Sequence, residues 1–491
     1  MILTTKIEQI PLLSPSSFRA KIAGEIHHGK RLLALWAVPE KQNTETGLRL
    51  LAVLGNDELG TLEVHSTFPP SEYLSLTEEC PQAHLFEREI WENYPLTPIN
   101  HPWPKPVRFP KNTNNRNCKV GEIDFYKVSG EEIHEVGVGP VHAGIIEPGH
   151  FRFQCHGEIV KHLEISLGYQ HRGIEKNMKG EPNLKSLYLM ETIAGDTTIG
   201  HTWAYCKNIE NLTGTTINRR SLLIRAIMLE LERLANHVGD LGALAGDVGF
   251  LPTSNYCGRI RGDFLNLSFY LCGSRFGRSM LLPGGVNFDL EQTRTLEFLK
   301  RLKAAWKDAY GAVNLLWQSA TVMDRFENTG KLSTTQAEEI GLVGPPARAC
   351  SLKRDVRKNY DSDQLYKNLV MAYGQSGDVL ARAQVRFDEC QSSINFIEEA
   401  VKNLEDHPYK SPDNLNKLAS NTLSFSLVEG WRGEICHAAI TDEEGKIAHY
   451  KIVDPSFHNW FGLALCLREQ EISDFPLCNK SFNLSYCGFD L

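Results

Sequence analysis

Apolar positions along this chain change their period as it proceeds, and the changes divide it. Arg31 to Val38 and Leu48 to Leu54 are compact apolar runs bounded by turn residues, too short for helices, so they predict paired strands. Between Pro81 and Trp91 the spacing lengthens. Ala83, Phe86 and Ile90 fall on one face of a short amphipathic helix, with Arg88 expected to point the other way and the helix to lie as a lid on the sheet. Lys6 to about Asn93 therefore reads as a small α/β unit.

Pro95, Pro98, Pro102, Pro104, Pro106 and Pro110 then punctuate a stretch that turns polar up to Asn117. Proline fixes φ and stops helices, so this is expected to be an extended linker and a domain boundary. The division is 1–94, a linker at 95–117, and 118–491.

From Cys118 a strand pattern returns through Ile123, Phe125, Tyr126 and Val128, and again from Val136 to Val141. Phe151, Phe153 and Cys155 alternate with Arg152, Gln154 and His156 as a half-buried strand requires. Helical spacing takes over from Ser221 to Ala245, where Leu222, Leu223, Ile227, Leu231, Leu234, Val238 and Leu241 mark a long core helix. Gly239, Gly242, Gly246 and Gly249 do not follow a strand with dinucleotide-fingerprint spacing, so close helix packing is expected of them. Further helices are expected at Gly262 to Phe276, from an N-cap at Asp289 through Leu290 to Arg325, and at Val379 to Leu404. Ser333 and Gln336 spell a capping box. From Leu423 the pattern reads as strands and turns. The fold class is α+β: a small α/β head, then a larger, mainly helical part with flanking β segments.

Composition narrows the function classes. The 491 residues are 42% hydrophobic, enough for one large core or two to three smaller ones, a domain taking roughly 100–200 residues. A net charge of −8 with no long basic run argues against a nucleic-acid partner. No apolar run approaches the roughly 20 residues of a membrane span, and the first residues lack a signal-peptide pattern, so a cytoplasmic protein is expected. The 12 cysteines include no Cys-x-x-Cys pair and read as reduced, buried thiols. Gly24 to Lys30 nearly matches a phosphate loop, but Arg31 stands where Ser or Thr would bind magnesium, and a strand follows where a helix must start.

Candidate chemistry gathers between Gly139 and Tyr205. Gly139-Pro140-x-His142, Glu147-Pro148-Gly149-His150-Phe151-Arg152, His171-Arg172-Gly173-x-Glu175-Lys176 and His201 pack ionisable and hinge residues more densely than a plain core needs. Together with Glu232-Arg233-x-x-Asn236-His237, Asp247-Val248-Gly249, Pro283-Gly284-Gly285-Val286, Gly344-Pro345-Pro346-Ala347-Arg348 and Asp454-Pro455, they resemble, in the same order, the large subunit of group 4, energy-converting (formate hydrogenlyase-type) nickel-iron hydrogenases and the 49-kDa-type subunit of complex I. Phe86-Glu87-Arg88-Glu89 resembles a segment of the 30-kDa-type subunit, so the resemblance implies a 30-kDa-like head joined to a large-subunit-like domain.

The departure from that family decides the expected chemistry. Hydrogenases of this kind hold nickel and iron with two Cys-x-x-Cys pairs, and the matching positions here are Ala194 and Thr197, then Ser456 and Asn459. A methyl, two hydroxyls and an amide do not replace soft thiolates. The resemblance therefore implies no bound metal and no hydrogenase activity of the chain itself.

The family's quinone-site tyrosine and histidine align near Gly195 and the Glu147-Pro148 region, while Tyr188, His142 and His150 lie close by, so quinone is a further candidate ligand. Arg172, with His171, matches residues facing the iron–sulfur cluster of a partner subunit, with a Glu175 ion pair as the structural alternative. Glu147 matches a proton-relaying glutamate, with a hydrogen-bonded turn acid as the alternative. Arg432 matches an arginine over the metal site and, without metals, is expected to bind an anion or pair with Asp196.

The implied role is a peripheral-arm subunit, on the cytoplasmic side of the membrane, in a hydrogenase-like or NADH:quinone oxidoreductase-like complex. It would link electron transfer to ion translocation through charge and conformational changes in an emptied cavity. The implied partners are an iron–sulfur small subunit and antiporter-like and other integral membrane subunits. Alternatives are a non-catalytic scaffold between that small subunit and the membrane arm, and a quinone-reducing subunit.

Overall fold

The computed structural model describes residues 2–42, 45–110, 119–144, 146–404, 408–410 and 415–491. The chain opens with a strand, β1 (Ile2–Lys6), that does not belong to the head's own sheet. Helix α1 (Pro15–His27) follows, started by Pro15 and by the Ser14 hydroxyl accepting from the Ser17 amide. Gly24 lies inside this helix and Lys30 pairs with Glu25 and Glu63, so no phosphate loop forms.

The two early apolar runs are paired strands, as their pattern predicts. β2 (Arg31–Gln42) and β3 (Glu45–Asn56) run antiparallel with Trp36 opposite Leu51, and β4 (Thr61–Thr67) completes the sheet with Val64 opposite Val53. A short parallel pair, β5 (Glu72–Leu74) and β6 (Thr97–Ile99), brackets α2 (His84–Asn93).

Helix α2 corrects the sequence reading. Arg88 does not point to solvent: it is buried over the Trp103 ring, and its guanidinium donates to the Lys105 and Pro106 carbonyls. Glu87, Glu89 and Glu92 are buried too. Glu87 accepts from the Ser75 and Thr77 hydroxyls and the Leu76 amide, and Glu89 from Lys451 of the C-terminal half.

The proline-rich stretch is likewise no free spacer as far as Pro110. Glu92 takes the Val107 and Arg108 amides, and Arg108 reaches the Phe489 carbonyl. Proline leaves few backbone donors here: Trp103 donates to the His101 ring, Lys105 to the Trp103 carbonyl, and the donors from Val107 to Phe109 go to Glu92. The rest of the expected linker, 111–117, lies outside the described residues.

Residues 119–132 form no strand, contrary to expectation. The Tyr126 amide is spent on Glu164, and Phe125 sits under Arg152 rather than in a ladder. The sheet begins at β7 (Ile133–Val138) and continues through β8 (His150–His156) and β9 (Ile159–Ser166), with Phe153 opposite both Val136 and Leu163. Phe151, Phe153 and Cys155 are buried, as their alternation predicts.

Helices α3 (Ile174–Asn177), α4 (Leu184–Glu191) and α5 (Thr198–Thr213) lead into the long core helix α6 (Arg219–Asp247), capped by Asn218. Helix α7 (Leu251–Cys272) starts well before the expected Gly262, because Pro252 fits its first turn, and it ends at left-handed Gly273. A side chain at Gly242 would put its Cβ 2.7 Å from that of Cys257 on α7, the close packing expected of these glycines.

The hairpin β10 (Leu281–Leu282) and β11 (Gly285–Val286) precedes α8 (Gln292–Trp317) and α9 (Ala320–Phe326). Asp289 caps neither helix. It binds Arg220 at 2.8 and 3.0 Å, and Glu291 occupies the cap position instead.

The capping box of Ser333 and Gln336 does start α10 (Thr334–Glu339). Next come α11 (Gly344–Ala349), α12 (Val356–Asn359) and α13 (Val379–Lys402). The tail supplies strands β12 (Thr422–Gly430), β13 (Gly433–Thr441) and β14 (Ile447–Val453). It then becomes helical, contrary to expectation, in α14 (Pro455–Cys466), α15 (Phe475–Phe482) and α16 (Tyr486–Asp490). Asp454 begins α14 by accepting the Ser456 amide, with Pro455 in the first turn.

The principal sheet has the order β1-β12-β13-β14, antiparallel throughout, with Leu3 opposite Phe425. The first strand of the chain thus pairs with one more than four hundred residues later. Buried ions bind the same two regions, since Arg31 of β2 donates to Glu434 of β13 at 2.8 and 3.1 Å. One apolar core includes Leu35 of the head, Leu231 of α6 and Phe457 of α14. Among the described residues, no helix is long and apolar enough to cross a membrane.

Candidate functional site

Several loops meet at the N-terminus of α5: the 139–149 loop, the α4–α5 turn, the β12–β13 turn, and the starts of α14 and α16. All but the start of α16 deliver residues that the sequence singled out.

Glycines shape the 139–149 loop. Gly139 has φ +81°, and a Cβ there would lie 2.2 Å from the Gly149 carbonyl, so the two limbs touch. His142 Nε2 binds the Gly149 carbonyl at 2.9 Å and His150 Nδ1 the Gly139 carbonyl at 3.1 Å. Both histidines are thereby used to lock the loop.

Glu147, half-buried, lies beside the Cys487 thiol and Tyr486. Burial, together with this neighbouring carboxylate, pushes the Cys487 thiol up to about 11.

Arg172 does not pair with Glu175. Its guanidinium donates to the carbonyls of Thr192, Ile193 and Cys487, while Glu175 accepts the Ile452 amide and pairs with Lys451. Arg172 is exposed, and among the described residues no carboxylate bonds to it. His171 Nδ1 binds the Asp490 carbonyl at 2.7 Å, and burial lowers its pKa.

The positions aligned with metal-binding cysteines are all buried. Ala194 offers a methyl. The Thr197 hydroxyl accepts from Trp431 Nε1 at 3.1 Å and from Arg432 at 3.2 Å. The Ser456 hydroxyl accepts the Ser485 amide at 2.9 Å, and the Asn459 amide bridges the Val343 N–H and carbonyl at 3.1 and 3.0 Å.

These side chains are committed to the fold and carry no thiolate, so the residues present do not fit a nickel-iron group. The three polar ones are tied to neighbouring elements by those bonds. Among the described residues, no cluster of three His, Cys, Asp or Glu side chains is arranged to hold a metal ion.

Arg432 is fixed above this floor. It grips Asp196 through two bonds of 2.6 and 2.8 Å, gives Nε–H to the Asn483 carbonyl, and stacks 3.9 Å from the Trp431 ring centroid. Burial would raise the Asp196 carboxyl, but the Arg432 charge outweighs it and the pKa falls.

Glu232, quoted in a sequence motif without a role, accepts the Ile199 and Gly200 amides at the start of α5. Burial pushes its carboxyl up to about 8 despite those donors.

Behind the site stands a polar line that the sequence reading missed. Asp454 Oδ2 lies 2.9 Å from His201 Nε2, His201 Nδ1 lies 3.0 Å from His437 Nε2, and His437 Nδ1 lies 2.9 Å from the Tyr450 hydroxyl. One signal for it was His437 within the otherwise apolar run from Ile435 to Ile440 in β13.

The model of the respiratory-chain NADH dehydrogenase 49-kDa subunit family matches residues 247–424. The chain is 26% identical over 449 residues to formate hydrogenlyase subunit 5 of Escherichia coli (strain K12), covering 87% of this chain and 78% of that protein. It is 29% identical over 353 residues to the carbon monoxide-induced hydrogenase of Rhodospirillum rubrum, covering 71% and 97%. With the C/D subunit of the NADH-quinone oxidoreductase of Bacteroides thetaiotaomicron it shares 27% identity over 453 residues, covering 84% and 82%.

Proposed function

Since this chain belongs to the family that joins group 4 hydrogenase large subunits and complex I 49-kDa subunits, we propose that it is a metal-free peripheral-arm subunit of a membrane-attached oxidoreductase. In this role it couples electron arrival at a partner's iron–sulfur cluster to ion translocation. The observation that carries the reading is the floor of the site: Ala194, Thr197, Ser456 and Asn459 stand where thiolates would be needed, and the polar three are bonded into the fold.

What survives around that floor suits coupling. Arg172 and His171 would face the partner's cluster, and the Arg172 charge, held by carbonyl oxygens, favours the cluster's reduced form. Glu147, itself half-buried, would exchange protons. Arg432 and Asp196 supply a fixed ion pair between them. The membrane partners are integral, antiporter-like subunits, this chain docks to them from the cytoplasmic side, and no step requires a metal held by this chain.

Affinity purification of the chain from gently solubilised native membranes tests this. The expected result is a complex containing a reducible iron–sulfur subunit together with integral membrane subunits. Recovery of the chain without either contradicts the proposal. A complex whose cluster reduces without any ion movement supports the scaffold role instead.

A further inference from the structure

We propose that Asp454, His201, His437 and Tyr450 form an internal relay that takes up one proton when negative charge arrives at the neighbouring site. This deepens the coupling role above and rests on it.

The geometry comes first. Three consecutive contacts of 2.9, 3.0 and 2.9 Å join four side chains drawn from α5, β13, β14 and the start of α14. His201 and His437 are fully buried, and Asp454 and Tyr450 nearly so. A carboxylate has no proton to give, so the directions follow. His201 Nε2–H donates to Asp454, His437 Nε2–H donates to His201 Nδ1, and the Tyr450 hydroxyl donates to His437 Nδ1.

Uptake reverses this order with atoms in balance. A proton reaching the Tyr450 oxygen releases that residue's own proton to His437 Nδ1. His437 then passes its Nε2 proton to His201 Nδ1. Each step breaks one O–H or N–H bond and forms the next, and the product is a His201 imidazolium facing the Asp454 carboxylate. Tyr450 and His437 end neutral.

The polar line continues outward. Asn208 donates its amide N–H to the His437 carbonyl and accepts from the Ser424 hydroxyl, which in turn accepts from Asn211, a neighbour of Thr4 at the surface. His201, Asn208 and Asn211 share one face of α5, at i, i+7 and i+10.

The charged and titratable groups around the relay are Arg432 and Asp196 beyond Asp454, and Tyr205 and Cys206 from α5. Burial and the neighbouring ring hold His437 well below its ordinary pKa, so it passes a proton rather than keeping one. Burial would raise Asp454, but His201 and Arg432 hold it ionised.

Proton uptake is measured in the assembled complex, in weak buffer with a pH indicator, as the partner's cluster is reduced. Wild type and the control His449→Gln should take up protons with the electrons. His437→Gln and Tyr450→Phe should lose that uptake while electrons still arrive. Undiminished uptake in both variants overturns the relay but leaves the coupling role standing, whereas a wild-type complex that accepts no electrons contradicts the coupling role.

Nitrogen-15 spectra of the histidine-labelled wild-type chain decide the geometry without variants. Protonation of His437 at Nε2 near neutral pH is expected, and protonation at Nδ1 instead overturns the relay.

Discussion

Arg432 and Asp196 form a two-bonded ion pair, 2.6 and 2.8 Å long, directly above the Thr197 hydroxyl. The pair closes the site where a metal-binding subunit would carry thiolates, and it joins the β12–β13 turn to the start of α5.

Arg432→Met should leave Asp196 without its partner. Loss of a buried partner costs about 3–5 kcal/mol, but Asp196 keeps a third of its side chain in solvent, so about 2 kcal/mol is expected. Arg432→Lys keeps the charge but not the fork, and should lose about half of that. Urea denaturation midpoints of the three proteins check the order.

Asn459 spends its amide on both the N–H and the carbonyl of Val343, fully buried. Asn459→Ala leaves both groups unpaired and should cost about 2–3 kcal/mol. Asn459→Cys, which restores the thiol expected of a hydrogenase at this position, should cost a similar amount. Chemical denaturation of both variants tests this, and a cysteine variant as stable as wild type would count against a committed structural role.

Much of the framework was legible in the sequence. Helix α6 announced itself because Leu223, Ile227, Leu231 and Leu234 recur at helical spacing and are buried as that spacing requires. Arg88 misled, because a charged residue off the apolar stripe reads as solvent-facing. Its burial depends on the Lys105 and Pro106 carbonyls, and local periodicity carries no information about partners outside the helix. The Arg432–Asp196 pair is one of the two arrangements the sequence offers for Arg432, whereas Arg172 binds carbonyls and leaves Glu175 to the Ile452 amide and Lys451. The contact of His201 with Asp454, 253 residues apart, and its continuation to His437 and Tyr450 depend on how α5 crosses the principal sheet, which no local pattern encodes.

Glu232 should make stability fall with rising pH. Its folded pKa of about 8 exceeds the ordinary carboxyl value of 4.5, so the folded state binds the extra proton between those values. The contribution is fully present below 4.5 and is lost as pH rises through about 8. Glu232→Gln keeps an acceptor for the Ile199 amide and removes the titration. The difference in stability between variant and wild type should therefore grow in the variant's favour across that window, as followed by denaturation at several pH values.

Arg172→Gln should lower the midpoint potential of the partner's iron–sulfur cluster. A fixed positive charge favours the reduced state, and its removal at close range is worth on the order of tens of millivolts. A redox titration of the assembled complex reads the shift, and an unchanged potential would place Arg172 away from the cluster.

Nickel in the purified native complex, measured by elemental analysis against the amount of this chain, tests the central claim most directly. The account predicts iron from the partner's cluster and no stoichiometric nickel, because Ala194, Thr197, Ser456 and Asn459 provide no thiolate. Nickel in one-to-one ratio with the chain would contradict it.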